Sequence, residues 1–128
     1  YVYLVTEIRA TFEKNRDYLY NKIALIGKYL GGELRGFSAY PSWVYKPHSN
    51  LRDTANKVYS EIFGEKIKTL AVHAGLECGC FVDKIQEDMD AISIGPNTWD
   101  LHSPSERLSV SSTEKVYKFL THILENLD

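Results

Sequence analysis

Cysteine is scarce: Cys78 and Cys80 are the only two in 128 residues. Two thiols one residue apart cannot frame a disulfide scaffold. They also fall short of the four ligands that structural zinc takes. They read as small half-buried thiols in a reducing, cytoplasmic compartment. A charge surplus is lacking too, since 15 Lys+Arg against 17 Asp+Glu leave a net charge of −2. Nucleic-acid binders carry a basic excess, so no nucleic-acid partner is expected. Long apolar runs are missing: the longest stretch without a charged residue, 36–45, has ten residues. A membrane-spanning helix needs about 20, and no basic segment followed by an apolar run opens the chain. Neither a membrane nor a signal peptide is expected. There is no Gly-x-Ser-x-Gly elbow, no glycine-rich phosphate loop followed by Lys, no His-x-Asp and no Glu-Glu pair. Any complete catalytic set of those kinds is therefore absent from this stretch.

What remains is the pattern of one α/β domain's worth of chain, with 44% hydrophobic residues, enough for a core. Residues 1–9 are rich in β-branched and aromatic side chains and predict a strand. A strand at the very first residue is what a piece of a longer chain would show. Leu19, Ile23, Ile26 and Leu30 fall at 0, +4, +7 and +11, one face of a helix over 13–30. Gly31-Gly32 ends it, and 33–38 predicts a second strand. Residues 40–49 hold two prolines and three aromatics without periodicity, an extended connector and the predicted domain boundary.

A second β-α-β-like piece follows. Leu51, Ala55, Val58 and Ile62 repeat the same helical spacing over 50–63, and Gly64 stops it. Strands are predicted at 68–72 and 91–95. Ser111 and Glu114 predict a capping box. It opens a last helix whose apolar side holds Val116, Phe119, Leu120, Ile123, Leu124 and Leu127.

Two loops carry the chemistry. His73-Ala-Gly-Leu-Glu-Cys-Gly79 follows a predicted strand and precedes a helical turn. Its glycines allow close backbone approach to a ligand, and α/β folds place sites at strand C-termini. The same residues also suit an ordinary tight connection. Residues 95–107 hold His102 among polar residues. Imidazole is the commonest metal ligand and acid–base group, yet one histidine in a loop is more often plain surface. His48 and His122 read as surface.

Three stretches together resemble the aminoacyl-histidine dipeptidases, the cytosolic non-specific or Xaa-His dipeptidases, which are dinuclear-zinc metallopeptidases. They are His73-Ala-Gly-Leu-Glu-Cys-Gly79, Ile92-Ser-Ile-Gly-Pro96 and His102-Ser-Pro-Ser-Glu-Arg-Leu108. Tyr40-Pro-Ser-Trp43 resembles the family's Tyr-Pro-Gly-Trp connector, and Ile8-Arg9-Ala10 its Ile-Arg-Ser strand end. Ala10 departs from the usual Ser, Val44-Tyr45 looks inserted, and Ser105 stands where Asp is usual.

The resemblance implies a fragment, equivalent to the last quarter of a two-domain enzyme. Residues 1–39 would close a lid of the dimerisation type, and 40–128 would end the catalytic domain. It implies His102 as the last metal ligand and Arg9 as holder of the substrate's terminal carboxylate, work that suits a guanidinium fork. Gly75, Leu76 and Glu77 would line the substrate site. The cofactor implied is zinc, two ions per complete site, with Mn or Co as alternative divalent metals. By the same resemblance the metals polarise a dipeptide's peptide carbonyl and activate a water. The remaining ligands and the general base would lie outside this chain, so the chain alone would be inactive. A homodimer is the implied assembly. The competing reading is a stand-alone, non-catalytic α/β module whose glycine loop binds a small ligand.

Overall fold

The computed structural model describes residues 2–36, 38–72, 76–85 and 88–127. Among the described residues the chain forms four helices and one small hairpin: α1 (Glu13–Tyr29), α2 (Asn50–Phe63), α3 (Glu77–Lys84), β1 (Thr98–Trp99), β2 (Arg107–Leu108) and α4 (Val110–Glu125). It gathers into two compact units. One comprises Tyr1–Lys46 with Ala71–Met89, the other Pro47–Leu70 with Asp90–Asp128. This partition interleaves the chain, whereas the sequence pattern cuts it once, at 39/40.

The second unit holds the core. Along α2 the predicted stripe turns inward: Ala55 and Val58 are buried, and Leu51 and Ile62 pack against them. α4 answers with Phe119 and Ile123. Tyr59 bridges the two helices, its ring tilted at 58° to Phe63 with centroids 4.8 Å apart and edge-on to Phe119 at 5.2 Å. Burial of Val58, Phe119 and Ile123 contributes about 1.5–3 kcal/mol each relative to exposure. The outer part of the predicted α4 stripe stays open, with Leu124 61% exposed.

Caps fix where these helices begin. Ser49 Oγ accepts the Arg52 N–H at 3.0 Å and donates to Asp90 Oδ1 at 2.7 Å. The other Asp90 oxygen accepts the Leu51 N–H at 3.0 Å. Two of the free donors at the start of α2 are thereby satisfied. Gly64, at φ +69°, ends the helix in the left-handed region that glycine adopts without strain. α4 starts two residues earlier than the predicted capping box. Ser109, not Ser111, is the cap, and its Oγ accepts the Ser112 N–H. Ser111 and Glu114 lie inside the helix instead.

The first unit is built differently. α1 forms where its spacing predicts, yet buries no residue: Leu19, Ile26 and Leu30 are all exposed. Polar bonds tie it to the connector, from Arg16 Nη1 to the Tyr40 carbonyl at 2.9 Å and from the Ser42 N–H to Glu13 Oε1 at 3.2 Å. α3 seats Gly79 against the same connector. A Cβ there would meet the Pro41 carbonyl oxygen at 3.0 Å and Trp43 Cβ at 3.4 Å.

The expected β-α-β pieces do not close among the described residues. Segments 2–9, 33–36, 68–72 and 91–95 carry no strand pairing. A strand exists by hydrogen bonding to a neighbour, and no described neighbour pairs with these segments. The fold is thus mixed: four helices with a two-stranded antiparallel sheet in which Thr98 faces Leu108 and Trp99 faces Arg107.

Candidate functional site

His102 stands at the tip of the β1–β2 hairpin. Its backbone has φ +63°, and Asp100 two residues before has φ +54°. Left-handed backbone costs a residue with a side chain about 1–2 kcal/mol, so the loop must be held by other bonds. The Glu106 carboxylate accepts the His102 N–H at 2.9 Å. Ser103 Oγ donates to the Asp100 carbonyl at 2.7 Å, and the Glu106 N–H to the Ser103 carbonyl at 3.1 Å. At the base, Arg107 pairs with Asp100 and lies over the Trp99 ring, 5.8 Å from its centroid. The His102 side chain is left exposed, and no described residue hydrogen-bonds its ring.

Arg9 lies in the first unit, its side chain 58% exposed. The guanidinium meets Glu7, with Nη2 3.0 Å from one carboxylate oxygen and 3.1 Å from the other. One guanidinium nitrogen thus holds a carboxylate. Leu76 is the N-cap residue of α3, in extended backbone and half-buried. Glu77 occupies the first turn, where the helix dipole favours negative charge. Burial raises the Cys78 thiol above its ordinary value, and the neighbouring Glu77 carboxylate adds to that, against a backbone hydrogen bond that lowers it. Gly75 lies outside the described residues.

Arg9, Leu76 and Glu77 thus belong to one compact unit and His102 to the other. Among the described residues, no group of three or more His, Cys, Asp or Glu could hold a metal ion. His102 fits a metal centre as one donor: an exposed imidazole suits zinc and other divalent transition metals. His48 is exposed, as read, whereas His122 is half-buried, with Nδ1 2.8 Å from the Lys118 carbonyl. Glu106, Asp100 and Arg107 went unassigned in the sequence reading. The signal available was the Asp-x-His-x-x-x-Glu-Arg spacing, which closes on itself only when the loop turns left-handed.

Residues 12–126 match the profile of peptidase family M20/M25/M40, and the chain belongs to that family. It is 31% identical over 120 residues to the cytosol non-specific dipeptidase of Escherichia coli strain K12, covering 94% of this chain. It also superposes on the crystal structure of aminoacylhistidine dipeptidase from Vibrio alginolyticus, with a TM-score of 0.74 and 25% identity over 93% of this chain. The chain spans 24% of the length of each of these relatives. No described helix is long and apolar enough to cross a membrane.

Proposed function

We propose that this chain is the closing segment of a cytoplasmic metallo-dipeptidase that hydrolyses Xaa-His and other dipeptides, and that it is inactive alone. The observation that carries the reading is the 31% identity to a dipeptidase across 94% of the chain, with His102 in the matched span. Residues 1–39 would complete a lid and 40–128 a catalytic domain. The segments at 1–9, 33–38, 68–72 and 91–95 would pair with strands supplied by the rest of the protein. The exposure of Val2 at 97%, Leu4 at 91% and Leu70 at 78% supports that, since apolar strand residues are ordinarily covered.

Each residue then has a role. Arg9 exchanges Glu7 for the carboxylate of a dipeptide's C-terminal residue and fixes that end. Gly75, Leu76 and Glu77 would line the substrate site. His102 donates a ring nitrogen to one of two metal ions, zinc or another divalent metal such as Mn or Co. When bound, such an ion supplies a Lewis acid for the peptide carbonyl. The remaining donors and the general base come from outside this chain, and two copies of the whole enzyme form a homodimer through the lid.

The test uses protein expressed from the complete reading frame that contains this chain. His102→Ala should lose bound zinc and nearly all turnover of a dipeptide. Full zinc content in that variant would remove His102 from the metal centre. Turnover by the 128-residue chain alone, freed of contaminating peptidase, would remove the fragment reading.

A further inference from the structure

We propose that Glu106 is a positioning residue that sets the orientation of His102, an inference that rests on reading His102 as a ligand. A ligand is useful only if its donor atom is held in place before the metal arrives, and His102 sits on left-handed backbone, at φ +63°, that residues with a side chain seldom adopt. Glu106 supplies the restraint. Its Oε2 accepts the His102 N–H at 2.9 Å, four residues back across the loop. That bond exists only while the His102 N–H points into the loop, so it ties the carboxylate to the left-handed conformer.

The backbone that carries Glu106 is itself held. The Glu106 N–H donates to the Ser103 carbonyl at 3.1 Å, and the Ser105 N–H to Ser103 Oγ at 3.2 Å. The next residue, Arg107, pairs with Asp100 on the other side of the hairpin. Glu106 thus acts on the imidazole through the backbone N–H it accepts.

The experiment compares Glu106→Ala, Glu106→Gln and His102→Ala in protein expressed from the complete reading frame that contains this chain. Two quantities are read: zinc affinity by chelator competition, and hydrogen exchange of the His102 amide. Glu106→Ala should weaken zinc about 10–100-fold, as loss of a ligand's supporting partner does. It should also speed exchange of the His102 amide about tenfold or more, the loss of one charge-assisted bond. Glu106→Gln keeps a carbonyl acceptor and should retain most of both. Wild-type zinc affinity in Glu106→Ala, with zinc lost in His102→Ala, overturns the positioning role and leaves the ligand role standing. Full zinc in His102→Ala removes the ligand role instead. The exchange rate then still decides whether Glu106 holds the His102 backbone, and an unchanged rate in Glu106→Ala overturns it. Equal losses in the Gln and Ala variants would overturn the hydrogen-bond account.

Discussion

Asp90 and Ser49 form a two-residue clasp on the start of α2, and its strength can be worked out bond by bond. Ser49 is 6% exposed. Its hydroxyl donates to Asp90 and accepts from Arg52, while Asp90 also accepts from Leu51. Ser49→Ala removes an N-cap, worth about 0.5–2 kcal/mol, and strips one donor from a part-buried carboxylate. Asp90→Ala removes two bonds to a charged acceptor, each worth about 1.5–3 kcal/mol gross of relaxation. Singly, we expect losses of about 2 kcal/mol for Ser49→Ala and about 3 kcal/mol for Asp90→Ala. The double variant should lose about 3–4 kcal/mol, because the Ser49–Asp90 bond is then counted once. The coupling of about 1–2 kcal/mol lies within the range for residues in direct contact. Native-state hydrogen exchange reads it directly. Protection at Ala55–Tyr59 reports the opening of the unit, and protection at Leu51 and Arg52 reports the cap. Additivity within about 0.5 kcal/mol would refute the clasp, as would unchanged protection at Leu51 in Asp90→Ala.

Three further outcomes follow from the geometry. In the protein expressed from the complete reading frame, Arg9→Ala should cost about ten- to a hundredfold in kcat/KM for free dipeptides, from about 1.5–3 kcal/mol of charged hydrogen bonding. It should spare C-terminally amidated ones, and equal loss for both would rule out the carboxylate clamp. Gly79→Ala gains helix propensity of about 1 kcal/mol but presses a Cβ to 3.0 Å from the Pro41 carbonyl. We expect a net loss of about 1–2 kcal/mol and a shifted Trp43 fluorescence, and unchanged emission and stability would show that the contact yields. In a Cys80→Ser background, alkylation of Cys78 should inflect at higher pH in the folded protein than in urea, because burial disfavours its thiolate. A thiol whose folded pKa is raised contributes stability below the unfolded value and loses it as pH climbs through the folded one, so that contribution fades only in alkali. An inflection at the same or lower pH than in urea contradicts the burial.

The helices were legible because their signal is local. Four apolar residues at 0, +4, +7 and +11 specify α1 and α2, and Gly31 and Gly64 mark the stops, each with positive φ. The spacing says which side of a helix is apolar but not what covers it. For α2 that side meets α4, while for α1 it meets nothing buried. The α4 cap was misplaced because serines at 109, 111 and 112 all satisfy the composition rule. Only geometry selects Ser109, whose Oγ reaches the Ser112 N–H. Strands were the weak point for a related reason. The β-rich composition at 2–9 and 68–72 records a tendency to pair, and pairing depends on a distant stretch of backbone. At the site, His102 was visible as an imidazole among polar residues. Its left-handed backbone was not, since nothing in a histidine forecasts φ +63° until Glu106 is seen accepting its N–H.

The contrast between α1, without a buried residue, and α2 with α4, which hold Val58 at 1% and Phe119 at 3% exposure, bears on how the chain comes apart. Opening α1 exposes little apolar surface that was hidden, so its free energy lies near the low end of the spectrum of local opening. Opening α2 tears up a core. A protease should therefore nick the segment around Leu25–Leu30 long before it reaches Val58, and a calorimeter should record no single cooperative transition.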